Sequence, residues 1–291
     1  MNDIPSFPDF KQVGLEDGDC LRDNIRRFPS EVCEMSFGNT LIWRNFDHPR
    51  LTFIHDNLCI LFEPPDEPAY FIQPVGGGDI PETLKTCLSF APRLSRIPAA
   101  FAERYCAGFE CAADRNNFDY VYLTSDLIEL KGKKYDGKRN RIKKFERNHS
   151  HRYIKLAAEH LQACRTLFEE WLREKTEPGP MVEAQGDAIR EALTHFETLG
   201  LSGGAIEVEG SIAAFSIGEP LNADTAVIHI EIVSPKYDGL AQVMNREFVR
   251  NEMASFAFVN REQDLGIAGL RRAKTSYHPH HLVEKYHIWS K

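Results

Sequence analysis

At 291 residues with a net charge of −8, 42% hydrophobic and 27% charged, the chain has the balance of a globular protein of one large or two modest domains, at ~100–200 residues per domain. No apolar run approaches the ~18 residues of a membrane span, and Met1 to Phe10, holding Asp3 and Asp9 without a basic or apolar region, does not read as a signal peptide. Seven scattered cysteines, none in a CxxC pair, fit reduced thiols in a cytosolic protein rather than a disulfide framework.

The first half reads as a mixed α/β unit. Strands are expected at Leu51–His55, Leu58–Phe62 and Ala69–Gln73, with Asn57 and Pro64-Pro65-Asp66 supplying the turns. Gly76-Gly77-Gly78 is a loop, and Ile80–Phe90 a helix with Pro81 at its start. A strand at Leu94–Ile97, a helix from Pro98 to about Cys106 and a strand at Asp119–Leu123 follow.

Between Lys131 and Arg152 ten basic residues face only Asp136 and Glu146, so this stretch carries +8 and leaves −16 for the rest of the chain. Lys134, Lys138, Arg139, Arg141, Lys143 and Lys144 lie here, on a helix expected from about Asp136 to Asn148 and in the turn before it. Ile142 and Phe145 form a narrow apolar stripe by which that helix can dock. Like charges at i, i+4 destabilise an isolated helix. An anion offsets that cost: tRNA phosphates, an anionic lipid headgroup or the acidic remainder of the chain. A solvated charged face is the plainer alternative.

The second half is expected to run as a strand at Arg152–Leu156, a helix burying Leu161, Cys164, Leu167, Phe168, Trp171 and Leu172, and a helix from Asp187 to about Thr198. Strands at Gly204–Glu209, Ser211–Ile217 and Thr225–Val233 come next, the first two joined by a tight hairpin at Val208-Glu209-Gly210-Ser211. Then come a helix from about Gly239 to Asn251, a strand at Ser255–Val259 and a last strand near Leu282–Trp289.

Three motifs carry chemistry. Pro235 to Gln242 opens a helix after a long strand, and Lys236, Gly239 and Ala241 fit a basic-x-x-Gly-x-Ala pyrophosphate loop at a helix N-terminus, or simply a turn with Gly239 chosen for backbone freedom. From Val259 to Pro279, Asn260, Arg261, Glu262, Asp264, Arg271, Arg272, Lys274, Ser276 and Tyr277 crowd one strand end and short helix, as a site or as a salt-bridge network tying helix to sheet. Glu231, amid Val227–Val233, needs a partner or a ligand. His278-Pro279-His280-His281 lacks companions at zinc-site spacing and reads as a stiff turn, so no metal site is expected.

The run NREQDLGIAGLRRAKTSYHP, with EKY at Glu284-Lys285-Tyr286, resembles the catalytic domain of the phosphatidylglycerol lysyltransferases. LIELKGKKYDGKRNRIKKF, from Leu127 to Phe145, is similar to a second block of that family, and the resemblance extends from about Phe37 onward. It implies an α/β fold of two tandem GNAT-like (acetyltransferase-like) domains, each a mixed sheet flanked by helices. These would fall at 1–130 and 131–291, with the basic helix 131–152 at the junction and the site in the second.

The implied reaction moves an aminoacyl group from aminoacyl-tRNA, as co-substrate and without a required cofactor, to a lipid hydroxyl or an amine. Glu231, Asp264, Lys274 and Tyr277 would be catalytic. Asn260, Arg261, Glu262, Arg271 and Ser276 would bind substrate, and the basic helix with Lys236 and Gly239 would hold phosphates. Well-known members carry a multi-span membrane domain that handles lipid, which this sequence lacks, so the acceptor stays open between a lipid and a peptide, protein or small amine. The expected location is cytoplasmic, with peripheral contact to an anionic inner-membrane face left open. The alternatives are an acyltransferase using a coenzyme A thioester and a non-catalytic tRNA- or anion-binding module.

Overall fold

A computed structural model describes residues 3–174 and 179–291. The chain folds into two compact units and visits each more than once. Unit 1 takes the residues up to Asp119, Gln263–Leu270 and Leu282–Lys291, and unit 2 takes Tyr120–Glu262 and Arg271–His281. The single division at 130/131 drawn from the sequence differs from this, for reasons of strand pairing. Phe258–Asn260 pairs with Asp119–Leu123 in the sheet of unit 2. Lys285–Trp289 inserts between Arg93–Pro98 and Glu110–Ala113 in the sheet of unit 1. Alternation along Lys285-Tyr286-His287-Ile288-Trp289 announces a strand, but period alone does not name the sheet it joins.

The sheet of unit 1 runs Lys11–Gln12, Arg50–Ile54, Asn57–Phe62, Tyr70–Phe71, Arg93–Pro98, Lys285–Trp289, Glu110–Ala113. It is mixed, with Tyr70–Phe71 parallel to the start of Arg93–Pro98. Leu61, Phe71, Leu84, Leu94, Ile97 and Ile288 are sealed in its core. Helix Ile80–Phe90 covers that core because Ile80, Leu84 and Cys87 recur on one face, and the Asp79 side chain caps its start by accepting the Glu82 N–H at 3.1 Å. Helices Gly18–Arg27 and Phe37–Ile42 were not foreseen from the sequence.

The second sheet runs from His281–Val283 through Asp119–Leu123, Phe258–Asn260, Thr225–Val233, Ser211–Pro220 and Ser202–Val208 to His151–Lys155. The hairpin between Ser202–Val208 and Ser211–Pro220 turns at Glu209 (φ 51°) and Gly210 (φ 86°), the two left-handed residues that a two-residue loop demands. Ala158–Arg173 buries Cys164, Leu167 and Phe168, and Leu240–Glu252 buries Leu240, Val243, Met244 and Phe248. The helix expected at Asp187–Thr198 spans Pro180–Thr194, and the short helix Thr124–Glu129 was not foreseen. The basic helix spans Asp136–Asn148 and docks by Ile142 and Phe145, as its narrow apolar stripe requires.

Candidate active site

In unit 2, strands Thr225–Val233 and Phe258–Asn260 run parallel, but their pairing is confined to Thr225–Phe258, Ala226–Val259 and Val227–Asn260. Past Val227 the long strand continues alone on that side, and His229 and Glu231, two apart, share one face of it. Helix Leu240–Glu252, which follows the long strand, places Asn245 beside Glu231, with Asn245 Nδ2 donating to Oε2 at 3.4 Å.

Arg261, the residue after the short strand, reaches over to the long one. Its Nη2 donates to the Glu231 oxygens at 3.3 and 3.5 Å. The guanidinium lies 4.9 Å from the ring centroid of Tyr277 and 5.8 Å from that of Tyr122. Its Nη1 is buried with no hydrogen-bond partner among the described residues, so the cluster holds one strong donor unused. Tyr277 is 6% exposed, and burial pushes its phenol up to about 12 against the pull of Arg261, so it stays protonated at neutral pH. Lys138, from the basic helix, places its Nζ 3.9 Å from the Tyr277 ring centroid and donates to Ser276 Oγ at 2.6 Å. Two buried phenols fix this end of the chain: Tyr122 donates to the Lys274 carbonyl at 2.8 Å and Tyr135 to the Tyr277 carbonyl at 2.9 Å. Glu231, Arg261, Tyr277, Lys138 and Ser276 therefore form one cluster where the two strands part.

Other residues expected at the site have partners of their own. Lys274 Nζ donates to the carbonyls of Arg261 and Glu262, the latter at 3.1 Å, and so clamps the turn that leaves the short strand. Glu262 adopts φ 57° in that turn, and its N–H donates to Asn260 Oδ1 at 2.7 Å, with Asn260 fully buried. Asp264 belongs to unit 1, fully buried, where it accepts from Arg115 Nη1 at 3.3 Å and from the Gly266 N–H at 2.8 Å. It thus closes a turn within unit 1. Arg271 is partly exposed on Ala268–Thr275. Asp264, Arg271, Lys274 and Tyr277 were expected together as site residues; Glu262 and Leu265, to either side of Asp264, adopt left-handed φ of 57° and 52°.

One group in this region was missed by sequence reasoning. His229, with its side chain 1% exposed, lies between two carboxylates: Nδ1 is 2.7 Å from Glu262 Oε1 and Nε2 is 3.0 Å from Glu219 Oε1. Burial disfavours its charge, but the two carboxylates prevail and raise its pKa to about 10. The available signal was a histidine inside an apolar strand, with Glu219 placed to answer it from the neighbouring strand. Because this pKa is raised, the stabilisation is complete below the unfolded value of ~6.5 and is lost as pH climbs through about 10. His229→Gln is expected to cost about 3 kcal/mol at neutral pH, since it leaves two carboxylates without their cation. In urea unfolding, the gap between variant and wild type should narrow between pH 7 and pH 10.

Several cations of the basic segment meet carboxylates elsewhere in unit 2. Lys134 pairs with Asp126 at 3.4 Å, Lys144 with Asp238 at 2.8 Å, and Arg152 with Glu207 at 2.8 Å, while Arg139 bonds Asp136 and the Gly132 carbonyl. Arg141 and Lys143 are exposed, as is Lys236. Gly239 caps Leu240–Glu252 at φ 94°, and a Cβ there would stand 2.5 Å from the Arg141 carbonyl oxygen. Gly239→Ala should therefore destabilise the protein by about 1–3 kcal/mol, read as a lowered melting temperature.

In unit 1, Cys33, Glu34 and Asp119 bring potential ligand atoms within 4.8 Å of one another. The fully buried Lys285 ammonium already stands among them, 2.6 Å from Glu34 Oε2 and 2.7 Å from Asp119 Oδ1, and supplies the positive charge they need. His280 and His281 touch each other, with Nδ1 atoms 2.9 Å apart.

The parting parallel strands with a helix between them are the core of a GNAT-like unit, and two mixed sheets flanked by helices make the chain a tandem GNAT-like protein of the acyltransferase class. Residues 25–289 match the family described as phosphatidylglycerol lysyltransferase, C-terminal, and the chain belongs to that family. Family and fold together are those of an aminoacyltransferase. A solved structure of a conserved protein of unknown function from Bacteroides thetaiotaomicron VPI-5482 is 32% identical over 97% of this chain and 99% of that one, with a TM-score of 0.90. The structure of L-PGS from Bacillus licheniformis shares the fold at 17% identity and a TM-score of 0.64, covering 94% and 92% of the two chains. FemX shares it at 7% identity and a TM-score of 0.59, covering 97% of each chain. No curated protein sequence matches the chain. No helix among the described residues is long and apolar enough to cross a membrane.

Proposed function

We propose that the chain transfers an aminoacyl group from aminoacyl-tRNA to a lipid hydroxyl or an amine, and that the cluster at the parted strands of unit 2 carries the reaction. The observation that supports this most is Arg261, whose Nη2 is held by Glu231 while its buried Nη1 has no hydrogen-bond partner among the described residues. An aminoacyl ester is already activated, so holding it against an acceptor and stabilising the tetrahedral oxyanion supply much of the rate. Nη1 is the donor for that oxyanion. Glu231 keeps lone pairs for the α-ammonium of the aminoacyl group, and the protonated Tyr277 phenol donates toward the leaving oxygen. Lys274 and Asp264 keep the turns after the short strand in place, and the exposed Arg141, Lys143 and Lys236 meet phosphates of the tRNA.

A coenzyme A thioester is the poorer donor here. The N-terminus of Leu240–Glu252, where a pyrophosphate would bind, is crowded by the Arg141 carbonyl over Gly239 and by Tyr237, whose ring packs 6.4 Å from Phe145. The test is to incubate the protein with a mixture of radiolabelled aminoacyl-tRNAs and a lipid and peptide extract, beside a parallel reaction with labelled acetyl-coenzyme A. Movement of an aminoacyl label supports the reading. Movement of acetyl alone refutes it, and salt-dependent tRNA binding with every ester intact would leave a binding module.

A further inference from the structure

We propose, resting on the transfer reading, that Lys138 is the proton acceptor of this site: its neutral amine takes the proton that the acceptor's hydroxyl or amine loses on attacking the acyl carbon. In that step the acceptor heteroatom bonds to the acyl carbon and its proton passes to Lys138 Nζ. The tetrahedral intermediate then breaks the ester C–O bond, and the leaving ribose oxygen receives a proton, directly from the Lys138 ammonium or from Tyr277, which Lys138 then reprotonates. The enzyme ends as it began, and no other reactant is needed.

Geometry singles this lysine out. Lys134 and Lys144 of the same segment each hold a carboxylate, at 3.4 and 2.8 Å. Lys138 instead meets a hydroxyl and the face of a phenol. Ser276 commits its one proton to the Ala273 carbonyl at 2.6 Å, so its Oγ can only accept from Lys138 at 2.6 Å. A neutral Lys138 can therefore keep one N–H on Ser276 and leave its lone pair to a substrate proton. The rest of the cluster is otherwise engaged. Glu231 is bound by Arg261 and Asn245, Tyr277 holds its proton, and Lys274 is spent on two carbonyls.

The charged groups around Lys138 favour the neutral amine on balance. Burial acts first, then repulsion from Arg261 beyond the short strand and from Arg141 on its own helix, with Glu231 on the long strand opposing them, and the result is a pKa lowered to about 8. An amine poised there is half neutral near pH 8, where a base can both take and return a proton.

The test compares wild type, Lys138→Arg and Lys138→Ala in aminoacyl transfer across pH. Wild-type kcat/KM should rise with pH, pass its midpoint near pH 8 and level off above it. Lys138→Arg keeps the charge and much of the reach, so a purely positioning or phosphate-holding lysine would tolerate it. Here it should lose about 10²–10³-fold in kcat/KM together with the inflection, because a guanidinium does not give up its proton. Added ethylamine should restore part of the activity of Lys138→Ala. A Lys138→Arg protein within about threefold of wild type and with the same inflection overturns the assignment while leaving the transfer reading intact. Competitive acetylation across pH reads the amine independently of turnover, and titration of Lys138 near the ordinary ~10.4 also overturns it. A wild-type protein that moves no aminoacyl label sinks the transfer reading and this assignment with it.

Discussion

Arg261→Gln is expected to lower kcat for aminoacyl transfer by about 10²–10³-fold, the usual cost of removing one preorganised oxyanion donor. The guanidinium is well placed for such a role. It is held from one side by Glu231 at 3.3 Å and lies along the faces of Tyr277 and Tyr122, which fix its direction. Lysine would not replace it, because a single ammonium cannot hold Glu231 and still present a second donor in a fixed direction. Loss of the cation also leaves Glu231 without its partner, so a fall in activity could reflect local unfolding. The double variant Arg261→Gln with Glu231→Gln answers the stability part of that objection, and Glu231→Gln alone reads the loss of the carboxylate itself. The double variant should melt close to wild type and remain inactive. An active double variant would show that the guanidinium is structural.

Lys285→Met is expected to cost about 3–5 kcal/mol of stability, the usual result of removing one member of a buried ion cluster. The Lys285 ammonium is fully buried between Asp119 Oδ1 at 2.7 Å and Glu34 Oε2 at 2.6 Å, with Cys33 Sγ at 3.5 Å. Burial works against its charge, but Asp119, Cys33 and Glu34 prevail and hold its pKa well above the usual lysine value. Arg96 cannot take over. It lies 3.6 Å from Glu34 and is shared with Glu67 at 2.8 Å and Asp114 at 3.4 Å. Without Lys285, Asp119 is buried facing a second carboxylate. Adding Glu34→Gln and Asp119→Asn to Lys285→Met should recover most of the loss, because the uncompensated charges go with the cation. Urea unfolding of the single and triple variants measures both effects.

The elements of this fold were largely visible in its residues, because burial imposes a period. Ile80–Phe90, Asp119–Leu123, Asp136–Asn148 and Thr225–Val233 stand where apolar spacing puts them. The division into units was not visible. Whether Lys285–Trp289 pairs within the second half or with Arg93–Pro98 depends on contacts between residues far apart in sequence, which a strand's own pattern does not encode. The same limit governed the site. Arg261, Glu231, Tyr277, Lys138 and Ser276 could each be suspected from their type and position. That Asp264 closes a turn with Arg115 and that Lys274 caps carbonyls go with left-handed residues at Glu262 and Leu265, which carry no sequence signature. Lys138 looked like one cation of a phosphate-binding helix, and only its position over Tyr277 and against Ser276 separates it from its neighbours.

The most direct measurement is a single-turnover reaction in which the protein, in excess over a radiolabelled aminoacyl-tRNA, is given an acceptor identified from the lipid and peptide extract. Wild type should carry the label into the acceptor, and Arg261→Gln should leave it on the tRNA at equal tRNA binding. Equal transfer by both proteins would contradict the placement of the reaction at the parted strands.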